Sequence, residues 1–138
     1  LPTSLKEIII TDATSIGSQA FSDITSLTNI VILEGVISIG DSAFFGASSL
    51  TSIVIPESVT SIGRSAFMGV NSLTSIVIPE SVTSIEKHAF TGPSTLSIFV
   101  EATSKPSNWY FAWNFSDSPV YWKGQWHYDE NGNPVPNE

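Results

Sequence analysis

A chain of 138 residues with a formal charge of -8, a pI near 4.5 and no cysteine has the length of one domain and builds no disulfide. Its acidity repels nucleic-acid phosphates and anionic lipid surfaces, and its apolar runs are too short to span a bilayer, so neither nucleic acid nor membrane insertion is expected. With only 5 Lys and Arg among abundant Ser and Thr, the composition leans toward β structure.

Leu1-Pro2 reads as the close of a strand from a preceding unit, and Leu1 in place of a starting methionine predicts a segment excised from something longer. Nothing there caps the first turn. Native sequence, a partner or another copy is expected to cover it, and one consequence is self-association end to end through the N-terminal rung.

From there the chain repeats itself. Phe21, Phe44, Phe67 and Phe90, each preceded by alanine, recur every 23 residues, as do Ile16, Ile39, Ile62 and Ile85. A fixed period in this range predicts a solenoid, here four full turns and the start of a fifth. Within Leu50–Ser72, Ile53 and Ile55 flank Val54, so both isoleucines point to one side of a short strand that Pro56 ends. Val59 and Ile62 start a second, shorter strand on the opposite wall. The Ala-Phe pair, followed by Gly46, Gly69 or Gly92, forms the third corner, where stacked phenylalanine rings fill the wide end of the core. Gly17, Gly40 and Gly63 recur too, but Glu86 holds the fourth place, so that position does not demand positive φ.

LTSIVIPESVTSIGRSAFMG, with its IP…V..IG..AF pattern, resembles the BspA-like class of leucine-rich repeats over roughly Leu5 to Glu101. The resemblance implies a mainly β fold: a right-handed solenoid with a parallel concave sheet, short convex strands and an irregular aromatic C-terminal cap. It also implies a secreted or cell-surface protein, extracellular in location, used for adhesion to a host-matrix or cell-surface protein. Many members carry a cysteine shortly after the Ala-Phe pair, where this chain has Ile24, Ala47, Val70 and Pro93, so any behaviour depending on that thiol is absent.

After Glu101 the composition changes. Trp109, Tyr110, Phe111, Trp113, Phe115, Tyr121, Trp122, Trp126 and Tyr128 crowd one segment. Residues 1–101 are thus expected to be repeats, and 102–138 an aromatic cap and tail that covers the last rung. The exposed-tryptophan alternative is a sugar platform. Asn131-Gly132 predicts a hairpin turn, weakened by nearby prolines, and a linker is the other reading.

Two rows face outward from the concave strands: Ile9, Val31, Val54, Val77 and Phe99, and beside them Glu7, Asn29, Ser52 and Ser75. The first is apolar for a solvent face. It reads either as a partner-binding strip or as β-branched residues that merely suit a parallel sheet. Asp12, Glu34, Glu57 and Glu80 stack as an acidic column; a metal or a basic partner could use it, but one carboxylate per rung makes no cage, and a solvated ladder is the preferred reading. His88 and His127 stand apart without metal-ligand spacing, no serine sits in a G-x-S-x-G setting, and no phosphate-cradling glycine loop occurs. No enzyme activity, cofactor or metal is expected. Asn114-Phe115-Ser116 matches the glycosylation acceptor pattern, making Asn114 a candidate site.

The sequence thus predicts a non-catalytic protein-interaction or adhesion module binding through its concave face. The competing reading is a structural module that assembles end to end.

Overall fold

The computed structural model describes residues 4–92, 95–115 and 118–138; Leu1, Pro2, Pro93 and Ser116, on which expectations above rest, lie outside them. In chain order the described strands are β1 (Glu7–Ile10), β2 (Ser15–Ile16), β3 (Asn29–Ile32), β4 (Ser38–Ile39), β5 (Ser52–Val54), β6 (Ser61–Ile62), β7 (Ser75–Ile78), β8 (Ser84–Ile85), β9 (Ser97–Val100), β10 (Asn108–Trp109), β11 (Val120–Tyr121), β12 (Trp126–Tyr128) and β13 (Pro134–Pro136).

Each repeat holds two apolar alternations broken by polar corners, and each alternation becomes a strand. The longer ones build the concave wall as two parallel sheets, β1-β3-β5 and β7-β9-β11, which meet at β5 and β7. The two-residue ones form a second parallel sheet in the order β10-β8-β6-β4-β2. Register follows the repeat: Ile8 pairs with Ile30 and Ile30 with Ile53, while Ile16, Ile39, Ile62 and Ile85 align across the second wall. Because strand side chains alternate, every second residue enters the coil, and Ile30, Ile53, Ile76 and Ile98 are all buried.

The third corner is the Ala-Phe pair. Rings stack at centroid separations of 5.5 Å (Phe21–Phe44), 5.2 Å (Phe44–Phe67) and 5.1 Å (Phe67–Phe90), with planes within 15°. The backbone here forms its own ladder, Phe21 N–H donating to Ala43 O, Phe44 to Ala66 O and Phe67 to Ala89 O, each at 2.8 Å. Positive φ falls not on the glycines after isoleucine but two residues later, at Gln19, Ser42, Ser65 and His88, with values of 54–60°. Gly40 and Gly63 answer a different constraint. A Cβ at Gly63 would lie 2.6 Å from the Asp41 nitrogen and 2.7 Å from the Gly40 carbonyl carbon, so glycine permits close rung-to-rung approach.

Hydroxyl side chains add to the ladder between rungs. Ser58 Oγ donates to Val36 O and Ser81 Oγ to Val59 O, both at 2.7 Å, one rung back; Thr28 and Thr51 hydroxyls do the same toward Lys6 O and Thr28 O. The Ser58 and Ser81 hydroxyls thus meet carbonyls at a corner, while those of Thr28 and Thr51 add a second bond to carbonyls that already accept a backbone amide.

Beyond Glu101 the coil continues. Asn108–Trp109 pairs with β8, and Val120–Tyr121 pairs with β9. Trp113 meets the end of the phenylalanine column edge-on at 5.9 Å from Phe90, and the buried Trp109 donates its indole N–H to Val82 O at 3.1 Å. The tail is a hairpin, not an extended linker: β12 and β13 pair antiparallel, Gly132 takes φ +79°, and one Asp129 carboxylate oxygen accepts the amides of Asn131 and Asn133. At the opposite end Leu5, Ile8, Ile10 and Phe21 are only partly buried, whereas their counterparts Leu27, Ile30, Ile32 and Phe44 are buried.

Candidate functional site

The terminal hairpin folds back beside the concave wall and makes a groove with it. Trp126 fixes its position: the ring lies 5.4 Å from Phe99 and its indole N–H donates to Val100 O at 3.0 Å. His127 Nδ1 lies 2.6 Å from Asn137 Oδ1, and the Asn137 amide donates to Gln125 O at 2.8 Å, tying the two strands to the turn before them.

The outward apolar row is unevenly exposed. Ile9 and Val54 are exposed, Val54 at 71 %, while Val31 and Val77 are half-buried. Phe99 is a correction to the row: it is 2 % exposed, because Tyr121 stacks on it at 5.2 Å and Trp126 covers it further. The second row is partly self-satisfied, since Asn29 Nδ2 donates to Glu7 at 2.7 Å; Ser52 is exposed and Ser75 half-buried. One compartment of about 380 Å³ lies over this surface. Ser52, Val54, Ser75 and Val77 form its floor, with Tyr128, Asn133 and Pro134 of the hairpin opposite.

A second compartment of about 510 Å³ shares Glu57, Glu101 and Tyr128 with the first and adds Glu80, Ser81, Lys123, Trp126 and His127. All four predicted carboxylates, Asp12, Glu34, Glu57 and Glu80, are exposed. Glu34 accepts the Glu57 amide at 3.0 Å, and Glu57 and Glu80 turn toward the groove, where Glu101 joins them. Glu101 stands outside the 23-residue spacing, which hides it from the sequence pattern. The signal for it is the residue missing after Leu96, which pairs Ser97 with Ser75 and sets Glu101 level with Pro79.

Burial, then the charge of Glu57, push the Glu101 carboxyl above its ordinary value of 4.5; the Glu80 charge adds to this, and a hydrogen bond from the Glu80 backbone and the Lys123 charge oppose it. Burial and the charges of Glu101 and Glu57 likewise raise the Tyr128 hydroxyl. A carboxyl whose pKa is raised on folding contributes stability that is complete below the unfolded value and is lost as pH rises through the folded one. Glu101→Gln therefore gains in melting temperature relative to the parent as pH climbs from about 4.5 to 7, measured by paired thermal melts; parallel curves for the two proteins contradict the assignment.

No group of three or more His, Cys, Asp or Glu suited to a metal occurs among the described residues. His88 instead meets Phe115 edge-on at 5.3 Å. Asn114 is half-buried and donates its amide to Ser118 O at 2.9 Å, which turns the candidate acceptor nitrogen inward. Trp109 and Trp113 are buried, while Trp122 and Trp126 are half-buried in the cap, so the indoles do not form an open sugar platform. No described helix is long and apolar enough to cross a membrane.

Among solved structures, a leucine-rich repeat protein from Bacteroides ovatus is similar at 31 % identity and TM-score 0.77, over 87 % of this chain and 30 % of that one. The fold is shared with a T. pallidum leucine-rich repeat protein (24 % identity, TM-score 0.58, 67 % of this chain and 57 % of that one). It is shared too with a leucine-rich cell surface protein of Faecalibacterium prausnitzii (20 %, TM-score 0.51, 96 % and 54 %). The chain thus spans less than two thirds of each of these proteins. No curated protein matches it significantly in sequence. The BspA type leucine rich repeat region matches residues 2–114 in 6 copies. With that match over most of its length, on a coil that keeps the repeat register, the chain belongs to the BspA-type leucine-rich repeat family.

Proposed function

We propose that the chain is a non-catalytic protein-interaction segment of a secreted or surface-attached protein, and that it holds a protein partner against its concave face. The observation that carries this is Val54, an apolar side chain 71 % exposed on a rigid sheet at the floor of a groove. Apolar surface left open beside a concavity is what a partner's side chains fill. In this reading residues 1–101 are the binding array and 102–138 the cap and tail. A surface location is in keeping with the cell surface protein that shares the fold.

Val54→Lys tests the reading. Immobilised parent chain and a Phe111→Lys control, altered at an 83 % exposed cap residue, retain the same extracellular-matrix or cell-surface protein, and Val54→Lys retains none. Equal retention by all three rejects the concave face.

A further inference from the structure

The concave-face reading leaves the partner's chemistry open, and the groove narrows it. Three carboxylates from successive rungs, Glu57, Glu80 and Glu101, border the larger compartment, and Lys123 lines it beside them. Opposite stand two aromatic rings, Trp126 and Tyr128, with centroids 5.1 Å apart at 81°. Tyr128 is 51 % exposed. Trp126 is held by its bond to Val100 O, so its orientation is set before any ligand arrives.

Carboxylates along one side and aromatic faces along the other complement a long cationic side chain, whose methylenes lie on the rings while its charge meets the acids. The same arrangement repels an acidic or phosphorylated segment. Because the compartment with Glu80 shares Glu57, Glu101 and Tyr128 with the one over Val54 and Val77, which Glu34 also lines, a single extended segment running through both meets carboxylates in each and the two valines in one. We propose that the groove between the terminal hairpin and the concave wall docks an extended, basic peptide segment of the partner, with a lysine or arginine side chain seated between Glu57, Glu80, Glu101 and the Trp126–Tyr128 pair. The inference rests on the concave-face reading and adds the charge and conformation of what binds there.

The test titrates the isotope-labelled 138-residue chain with a capped octapeptide of alternating valine and lysine. Its glutamine and glutamate counterparts, and calcium ion alone, serve as competing probes. The lysine peptide is expected to shift the Trp126 indole and Tyr128 resonances with an affinity that falls as salt rises; the glutamate peptide does not bind. Glu80→Gln combined with Glu101→Gln weakens the lysine peptide by about tenfold, with an amide spectrum that reports an intact fold, while Glu101→Asp retains most of the affinity. Equal binding of the glutamine peptide overturns the proposal, as does an unchanged affinity in the double variant, a Trp126 shift produced by calcium alone, or shifts that track dimer formation. The two readings separate cleanly. Loss of partner capture in Val54→Lys with a silent lysine peptide keeps the concave face and rejects the basic segment. Carboxylate-dependent peptide binding with normal capture by Val54→Lys does the reverse.

Discussion

Replacing Phe67 by alanine lowers the unfolding free energy by about 3–5 kcal/mol, the range for deleting a buried ring from a core that cannot collapse around the loss. The ring is 2 % exposed and lies between Phe44 at 5.2 Å and Phe90 at 5.1 Å, so the substitution opens a void and removes two stacked contacts at once. The backbone on either side is fixed by the Phe67 N–H bond to Ala89 O and cannot move in to fill the space. Phe21→Ala supplies the comparison. That ring is only half-buried and has a single stacked neighbour at 5.5 Å, so its loss costs less than half as much. Denaturant unfolding of the two variants checks this directly, and equal costs would show that the column is filler rather than a coupled stack. In a coil whose rungs contact only their neighbours, the central gap also weakens communication between the two halves, so Phe67→Ala, unlike Phe21→Ala, lowers the denaturant slope as the halves begin to unfold separately.

The same column explains why the coil was legible in the sequence. A feature repeated at Phe21, Phe44, Phe67 and Phe90 is read four times, and each isoleucine of an Ile-Val-Ile run has its neighbour one period away, so the inward faces follow from the pattern alone. Positive φ left no such trace. Gln19, Ser42, Ser65 and His88 share one backbone conformation, yet they span an amide, two hydroxyls and an imidazole, none of them glycine, so residue type carries little signal and the closure of the corner imposes it. The hydroxyl ladders were hidden for a related reason: nothing local distinguishes a serine facing water from Ser58 or Ser81 bonded to the preceding rung.

The site was legible only in part. Val54 and the carboxylates Glu57 and Glu80 sit where the period puts them, on the outward side and at the strand ends. Whether they face open solvent or a groove depends on where the tail goes, and local turn chemistry at Asn131-Gly132 fixes a hairpin without fixing its destination. The destination is set by Trp126 meeting Phe99, two residues in different composition regimes with no common period. That contact completes the cover that Tyr121 begins over Phe99 and brings Tyr128 into one groove with Glu101. The unpredicted features of the site therefore share one cause: the non-repeating end folds back on the repeating part.

Trp109→Ala is expected to cost about 4–5 kcal/mol, at the upper end for a large buried side chain, because it removes more than volume. The indole is 2 % exposed, packs edge-on against Trp113 at 4.9 Å, lies 5.8 Å from Trp122 and bonds to Val82 O. Its loss leaves a cavity against the last rung and an unpaired buried carbonyl together. Trp109→Phe restores most of the volume but not the donor, and costs about 1–2 kcal/mol, which isolates the hydrogen bond. Phe111→Ala, two residues away but 83 % exposed, changes stability by less than about 0.5 kcal/mol. Amide hydrogen exchange locates the damage. Because β10 pairs with β8, which pairs in turn with β6, Trp109→Ala strips protection most from β8 and progressively less toward β2. Uniform loss across the coil would mean that the cap contributes global stability without sealing an end. Exchange unchanged from the parent would mean that Trp109 does not seal the last rung, and the sealing role would belong to the tail beyond it.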